Sequence, residues 1–197
     1  MIIIAACYCG DFSKGERAIR PIREIGDPIA DLSGSIPYLS AQQIFDPDYP
    51  DGRRYYWKSV YLNHLHDDVI SALIEHAAHR PSPITSLDIW GLGGAFARVK
   101  PEETAFVKRD SPFMIGIESN WDDPASDDEN IGWARDVFSD LQRFSPGGIY
   151  LNFPGFAEEG EELMKNAYDA NYSRLQAVKR KYDPDNFFRN NFNIRPV

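Results

Sequence analysis

The sequence contains little cysteine, no excess of positive charge and no long hydrophobic run. Its 197 residues include two cysteines, Cys7 and Cys9, and carry a formal net charge of -9. Nucleic-acid binding normally requires a basic stripe, and anionic membranes attract basic segments, so both partner classes are disfavoured. The apolar start MIIIAACYC is shorter than the roughly 20 residues that span a bilayer. It also lacks the basic segment that opens a secretory signal.

Residues 2–8 form an apolar, β-branched stretch that predicts a buried strand; Cys7 lies within it and Cys9 directly after it. Residues two apart in a strand share a face and rarely form a disulfide, so we expect two reduced thiols in or near the core. Reduced thiols are typical of a cytoplasmic protein, which is the expected compartment. A chain that opens directly on a core strand also indicates that an upstream segment belongs to the protein.

The common signatures of hydrolytic and metal chemistry are absent. The four histidines form two pairs, His64 with His66 and His76 with His79, without a third ligand at metal-binding spacing, so no metal site is expected. The stretch GLGG at 91–94 lacks the G-x-G-x-x-G spacing and precedes strand-like sequence, which favours a turn or bulge. No nucleophile elbow, P-loop lysine motif or H-E-x-x-H motif is present.

Strand-like and helix-like segments alternate along the chain. Besides residues 2–8, the residue pattern predicts strands at 53–63, 84–90, 95–99, 104–109, 113–121 and 149–153. Apolar spacing predicts helices from a Ser13–Glu16 capping box to Ile25, from Asp67 towards Pro81, after the acidic stretch 122–129, and from about Glu159 to Tyr182. Successive strands joined by short turns predict an α+β fold in which α-helices cover one side of an antiparallel β-sheet.

Aromatic side chains are concentrated on the predicted strands, at Tyr55, Tyr56, Trp57, Tyr61, Tyr150 and Phe153. Because strand residues alternate between faces, Tyr56, Lys58 and Val60 are expected to share one face. A face that combines aromatic rings, an amide and a few charges can receive a flat organic ligand. The residue types alone favour the alternative, in which the rings pack against the covering helices.

The end of the chain is more tightly specified than a terminus usually is. In KRKYDPDNFF the basic residues complement the dipole of a preceding helix, and Asp183 before Pro184 ends that helix. Phe187 and Phe188 are expected to anchor the turn that follows. Asn191 and Asn193 lie two apart and face one way in an extended chain. Packing accounts for the aromatic anchors but not for the two amides.

Residues 150–194 resemble the C-terminal berberine-bridge-enzyme module of FAD-linked oxidases in the vanillyl-alcohol oxidase superfamily. They follow its pattern of a Y-x-N-[YF] strand, an N-Y-x-R-L helix, K-x-x-Y-D-P-x-N-x-F-R and N-x-N-I. Upstream, CYCGDFSKGERAIRPIREIGDPIAD, YYWKS, GGAFARV and WARDVF resemble the substrate domain of bacterial members. The resemblance implies a substrate-domain-like region at 1–148 and the C-terminal module at 149–197, joined in one domain that lacks the family's N-terminal FAD-binding domain.

The resemblance implies the substrate-binding part of an FAD-linked oxidoreductase. In that family an antiparallel sheet covers the isoalloxazine ring, hydride passes from a small organic substrate to the flavin, and a base takes a proton. FAD is therefore the expected cofactor of the whole protein, and this chain alone is expected to be inactive. The alternative is a non-catalytic ligand-binding or interaction protein derived from the same fold.

The resemblance also assigns candidate site residues. In several sugar and polyketide oxidases of the family the last residue of Y-x-N-Y is a catalytic tyrosine, and Phe153 stands at that position here. The candidate bases are therefore Tyr150, Lys58 and Glu118. The candidate cofactor-binding residues, which match family amides near the flavin, are Asn152, Asn191 and Asn193. The candidate substrate-binding residues are Tyr56, Trp57 and Phe153.

The expected partners follow from the same resemblance. They are a small-molecule substrate and an FAD-binding domain or partner chain, without nucleic acid or membrane. The sheet face that meets the flavin domain in the family would be exposed as an apolar patch, and such patches tend to pair, so self-association is also expected.

Overall fold

The computed structural model describes residues 1–155, 160–190 and 192–197. The chain divides into two units, Met1–Pro50 and Asp51–Val197. Each unit is described by itself below, and the second carries the sheet that organises the candidate site.

The first unit contains helices α1 (Phe12–Arg23) and α2 (Tyr38–Gln42). Asp11 precedes α1 and its carboxylate accepts a hydrogen bond from the N–H of Lys14 at 3.1 Å, which satisfies one of the free donors at the helix start. Pro21 lies inside α1 near its end. The helix predicted from the Ser13–Glu16 capping box to Ile25 is therefore present, and it begins and ends about two residues earlier.

The strand predicted at residues 2–8 is wrong. These residues have no regular secondary structure and are exposed, including Cys7 and Cys9, whose sulfur atoms lie 4.0 Å apart as free thiols. A strand is stable when a neighbouring strand pairs with its backbone N–H and C=O groups. No such pairing is present in the described part of the chain. Apolar, β-branched composition therefore predicted a strand whose partner this structure does not supply.

The second unit mixes strands and helices. In chain order they are β1 (Arg54–Leu62), α3 (Asp67–Ala78), β2 (Ser86–Gly91), β3 (Phe113–Trp121), α4 (Asp127–Gln142), α5 (Glu161–Tyr168) and α6 (Tyr172–Tyr182). The strands form an antiparallel sheet with β3 in the centre, in the order β1-β3-β2. The predicted α+β fold with an antiparallel sheet is confirmed.

Helices α3 and α4 cover one face of this sheet. In α4, buried residues recur every three or four positions, which places them on a single helical stripe. The stripe packs on side chains that alternate along β1 and β3. The buried core of this layer contains Val60, Leu62, Val69, Leu73, Ile115, Ile117, Ala134, Val137 and Leu141. Deleting a large side chain from such a core costs about 2–5 kcal/mol.

Three further predicted strands, at 95–99, 104–109 and 149–153, are wrong. Residues 96–98 form a short 3₁₀ turn, and the carbonyl of Phe96 accepts a hydrogen bond from the Arg109 guanidinium at 3.2 Å. Backbone groups in this region therefore bond to side chains rather than to a strand. At 149–153 the chain turns, because the N–H of Phe153 donates to the carbonyl of Tyr150 at 2.9 Å.

The single long helix predicted near Glu159–Tyr182 is interrupted, and residue 159 lies outside the described residues. A short 3₁₀ turn at Asp169–Asn171 separates α5 from α6, and Asp169 has φ 42°. The break allows the Asn171 side-chain amide to donate hydrogen bonds to the carbonyls of Pro101 at 2.7 Å and Thr104 at 2.9 Å. These tertiary bonds fix the interruption that helical periodicity did not predict.

The tail forms the predicted helix stop, but the prediction that Phe187 and Phe188 anchor the turn is wrong. The carboxylate of Asp183 accepts hydrogen bonds from the N–H groups of Phe187 at 2.7 Å and Phe188 at 3.0 Å. Both phenyl rings are nevertheless more than three quarters exposed. Phe192 and Ile194 pack instead against the cluster formed by Leu163, Met164 and Tyr172.

Among the described residues, none of the helices combines the length and the apolar character that crossing a bilayer requires. The expected cytoplasmic location stays a prediction.

Candidate functional site

The face of the sheet opposite α3 and α4 carries most of the candidate site residues. We call it the aromatic face. Because strand residues alternate, it receives Tyr55, Trp57, Ser59 and Tyr61 from β1, Ser86, Asp88 and Trp90 from β2, and Met114, Gly116, Glu118 and Asn120 from β3. Residues 149–153 cross it, since the N–H of Tyr150 donates to the hydroxyl of Ser59 at 3.3 Å.

Gly116 occupies the middle of the aromatic face. It lies on the central strand, opposite Ser59 on one side and Asp88 on the other. A Cβ at this position would lie 3.5 Å from Trp90 Nε1 and 3.6 Å from Glu118 Oε1. Gly116 therefore lies beside an indole N–H and a carboxylate. Glu118 is buried there, at 3% exposure.

Four aromatic rings form a cluster on this face. The Phe153 ring lies edge-on to three others, with centroid distances of 5.2 Å to Trp57, 6.3 Å to Trp90 and 5.3 Å to Tyr150. Such edge-to-face pairs each add about 0.5–1.5 kcal/mol beyond the burial of their area. Phe153 is buried, whereas Trp90 is 44% exposed. The rings therefore form a rigid wall with one accessible side.

A buried amide holds the Trp57 part of this wall. The indole N–H of Trp57 donates to the side-chain oxygen of Asn120 at 2.7 Å, and the Asn120 amide donates to the carbonyl of Ile84 at 3.1 Å. The Asn120 backbone exchanges two further bonds with the Thr85 hydroxyl. This network fixes the ring of Trp57 and ties it to the start of β2.

Tyr150 presents a polar group on the aromatic face. Its phenolic oxygen accepts a hydrogen bond from the side-chain amide of Asn152 at 2.8 Å. A phenol can accept or release a proton at this oxygen. Tyr150 can therefore serve as a proton-transfer group.

Tyr61 also lies on the aromatic face, although it is not among the site residues that the sequence predicted. Its side chain is fully buried beside Met114 and Phe153, and Tyr150 packs on the same cluster. Its hydroxyl has no hydrogen-bond partner in the described part of the chain. Burial raises the pKa of Tyr61 well above its usual value, and the nearby Tyr150 adds to the rise. The alternation of β1 already placed Tyr61 on one face with Trp57, which was the available signal.

The structure brings four of the sequence-predicted site residues together on the aromatic face: Trp57, Glu118, Tyr150 and Phe153. It places the other two strand candidates on the opposite face. The Lys58 ammonium lies 4.2 Å from the centroid of the Phe138 ring in α4, and the Tyr56 hydroxyl accepts a hydrogen bond from Arg135 at 3.1 Å. Tyr56, Lys58 and Val60 do share one face, but it is the helix-covered one.

The three candidate cofactor-binding amides differ in their surroundings. Asn152 is exposed and bonds to Tyr150, as described above. Asn193 is half-buried, and its side-chain oxygen is shielded from solvent without a hydrogen-bond partner among the described residues. Asn191 lies outside the described residues, so its predicted role stays a prediction.

A separate cleft of about 660 Å³ lies between α3 and α4, on the other side of the sheet. It is lined by Asp68, Ser71, Ala72, Glu75, His76, Asp140, Arg143 and Phe144. His76 Nε2 lies 3.2 Å from the Asp140 carboxylate and Arg143 lies 3.0 Å from it. These charges pair with one another at the surface. In residues 1–155, 160–190 and 192–197, no three potential ligands among His, Cys, Asp and Glu come together for a metal ion.

Comparison with known proteins connects the aromatic face to a family. The family model described as berberine and berberine-like matches residues 149–195, the segment that carries Tyr150, Asn152 and Phe153. An FAD-linked oxidoreductase of Dictyostelium discoideum is 28% identical over 202 residues, which cover all of this chain and 43% of that protein. Residues 149–195 are thus similar to the berberine-like family, and the chain as a whole is similar to FAD-linked oxidoreductases.

Solved structures of several oxidases and oxidoreductases share the fold of this chain. The oxidoreductase GilR, solved with pregilvocarcin, is 28% identical, with a TM-score of 0.63 over 73% of this chain and 33% of its own. Chitooligosaccharide oxidase, at 22% identity, shows the same fold with a TM-score of 0.71 over 96% of this chain and 45% of its own. The chain spans about two fifths of the length of the curated relatives that it matches.

Proposed function

We propose that this chain is the substrate-binding part of an FAD-linked oxidoreductase that oxidises a small organic molecule by hydride transfer to flavin. The observation that supports it is the aromatic face, where Trp57, Trp90 and Phe153 form a wall beside two proton-accepting groups, Glu118 and Tyr150. A pocket with aromatic walls and a few polar groups is typical of small-molecule sites. The berberine-like module supplies part of this wall.

The proposed roles follow from position. The substrate lies against the rings, and Tyr150 or Glu118 takes the proton that leaves it, since each carries an oxygen able to accept one. Tyr150 is the stronger candidate, because its phenolic oxygen is half-buried on this face and already accepts the Asn152 amide. Lys58 and Tyr56 are no longer assigned to catalysis or substrate binding, because both side chains pack against α4.

The residues present fit a flat cofactor ring. The rings on the aromatic face provide stacking surface, and the shielded side-chain oxygen of Asn193 is an acceptor without a partner among the described residues. An isoalloxazine ring carries both a planar surface and an N–H donor that match these groups. When bound, the flavin of FAD accepts the hydride. In this proposal Asn152 and Asn193 help to hold the ring, as does Asn191 if the family pattern applies.

A second candidate function is non-catalytic ligand binding. The observation that favours it is Phe153, which fills the centre of the aromatic face without an ionisable group. A protein with this function would keep the aromatic wall and have no need of the proton acceptors. Substitution of Tyr150 by phenylalanine would then leave ligand binding and all measurable activity unchanged.

The coding sequence directly upstream of Met1 tests the proposed function. We expect an in-frame segment that encodes an FAD-binding domain, including a Gly-Gly-His flavin-attachment motif. The complete protein should be yellow and its flavin should bleach when substrate is added without oxygen. A gene that starts at Met1, together with a colourless protein that does not take up added FAD, would overturn the oxidoreductase proposal for this chain.

The proposed partners are that FAD-binding segment, or a separate chain that supplies it, and a small organic substrate. We also propose self-association of the isolated chain through exposed apolar side chains, of which Ile89 and Trp90 lie on the outer strand β2. Light scattering at increasing protein concentration should show a rising average mass. A constant monomer mass would contradict self-association without affecting the proposed chemistry.

A further inference from the structure

We propose that Tyr61 is a positioning residue whose hydroxyl donates a hydrogen bond to the ionised oxygen of Tyr150 and thereby makes Tyr150 the base of the site. This inference rests on the proposed function, in which Tyr150 takes the substrate proton. It concerns a residue that acts through another side chain, since Tyr61 itself is fully buried.

The first observation is the unsatisfied hydroxyl of Tyr61. Buried polar groups almost always have a hydrogen-bond partner, and each exception needs a physical reason. Tyr61 lies among apolar neighbours, including Met114, Leu92 and Phe106, and its oxygen has no partner in the described part of the chain. A phenylalanine would fill the same space without that cost. The hydroxyl therefore fits a role in the state in which the neighbouring Tyr150 is ionised.

The second observation is the position of Tyr150 beside it. The Tyr150 backbone is fixed on Ser59, which lies two residues before Tyr61 on the same face of β1. Both phenol rings pack in one cluster with Phe153. The Tyr61 phenol keeps its proton, because burial and, after it, the nearby Tyr150 raise the pKa of Tyr61. Negative charge on Tyr150 therefore develops next to a neutral O–H donor that remains protonated.

The other charged groups around this pair act in both directions. On the sheet, Asp88 and Glu118 share the aromatic face and oppose a negative charge on Tyr150. On the adjoining loop, the Arg109 guanidinium lies 5.3 Å from the centroid of the Phe106 ring, which itself lies 6.4 Å from the Tyr150 ring. Lys108 lies against Gly148 in the same region, and Tyr55 is the further phenol on β1. Local donors must therefore stabilise the phenolate.

Two donors converge on the Tyr150 oxygen in this account. The Asn152 amide already donates to it at 2.8 Å, and the Tyr61 hydroxyl adds a second bond once Tyr150 is ionised. The substrate proton passes to the Tyr150 oxygen, which becomes a neutral phenol, while Tyr61 keeps its own proton throughout. Both donors stabilise the phenolate before the transfer and thus keep the base available.

The test is an NMR titration of the chain labelled with ¹³C at tyrosine Cζ, with Tyr150 assigned from a Tyr150→Phe variant. We expect the Tyr150 signal to titrate about one pH unit higher in Tyr61→Phe than in the wild type, a tenfold change in the ionisation constant. The matched control is Tyr56→Phe, whose hydroxyl bonds Arg135 on the helix-covered face and should leave the Tyr150 midpoint unchanged.

Thermal unfolding of the same variants supplies a second readout. Tyr61→Phe should melt at or above the wild-type temperature, because its hydroxyl has no partner to lose, whereas Tyr56→Phe should melt lower. Equal titration midpoints of Tyr150 in the wild type and in Tyr61→Phe would overturn the proposal. So would a wild-type Tyr150 that does not titrate below the pH at which the chain unfolds, or a Tyr61→Phe chain that fails to fold. The titration needs neither flavin nor substrate, so its failure is distinct from failure of the proposed function.

Discussion

The indole N–H of Trp57 donates a hydrogen bond to the side-chain oxygen of Asn120 at 2.7 Å, diagonally from β1 to β3. Asn120 is 2% exposed, and its side-chain amide donates a hydrogen bond to the carbonyl of Ile84. The aromatic wall of the candidate site thus depends on one buried amide. This dependence makes the wall accessible to a simple mutational test.

Replacement of Asn120 by alanine should lower the free energy of unfolding by about 1–3 kcal/mol, because the Trp57 indole and the Ile84 carbonyl both lose a buried partner. Urea denaturation followed by tryptophan fluorescence measures the change. Asn152→Ala is the matched control, since Asn152 is exposed and its loss should change stability by less than about 0.5 kcal/mol. Equal effects of the two variants would contradict this reading of the network.

Lys58 is expected to matter for stability and not for ligand binding. Its stem is buried and its ammonium lies over the Phe138 ring, so Lys58→Ala should cost about 2 kcal/mol of unfolding free energy. Guanidinium denaturation and a titration with FMN measure the two properties separately. Lys100→Ala, at an exposed position, serves as control. A Lys58→Ala chain with wild-type stability and lost FMN binding would restore Lys58 to the site.

Asp127 should make the stability of α4 dependent on pH. The Arg54 guanidinium and then the indole N–H of Trp121 hold the pKa of Asp127 below its usual range. The unfolded chain has an Asp pKa of about 3.9, so the ionised Asp127 stabilises the fold at pH values above that. This stabilisation is lost as the pH falls through the lower pKa of the folded state. Asp127→Asn should therefore lower the melting temperature at pH 7, and the difference should shrink towards pH 2.

The neighbouring Asp128→Asn variant controls for the helix dipole, because both carboxylates lie in the first turn of α4. Of the two, it is Asp127 that forms the ion pair with Arg54. Asp128→Asn should have a small effect at both pH values. A constant deficit of Asp127→Asn from pH 7 down to pH 2 would show that the ion pair does not carry the difference.

The sequence was sufficient to predict β1 and β3 of the sheet. The β1 and β3 segments are rich in aromatic and β-branched residues, and their predicted bounds agree with the structure within a residue. Alternation also grouped Tyr56 with Lys58 correctly. It did not identify which face meets the helices, because most residues on both faces of β1 are buried and neither face reads as polar.

Other segments were decided by tertiary contacts that no local pattern encodes. Residues 2–8 have strand composition but find no pairing strand in the described part of the chain. The break between α5 and α6 depends on the bonds of Asn171 to carbonyls about 70 residues away. The missed role of Tyr61 has a similar cause, because an unsatisfied hydroxyl becomes visible once all of its neighbours are placed.

The four tryptophans allow the proposed flavin site on the aromatic face to be tested directly. Trp57 and Trp90 lie on the aromatic face, whereas the Trp121 and Trp133 indoles bond to Asp127 and to the His76 carbonyl on the helix-covered side. The measurement is a ¹H–¹⁵N NMR titration of the indole N–H signals with FMN. We predict concentration-dependent shifts for Trp57 and Trp90 and none for Trp121 and Trp133. Shifts confined to Trp121 and Trp133, or no shift at saturating FMN, would contradict a flavin site on the aromatic face.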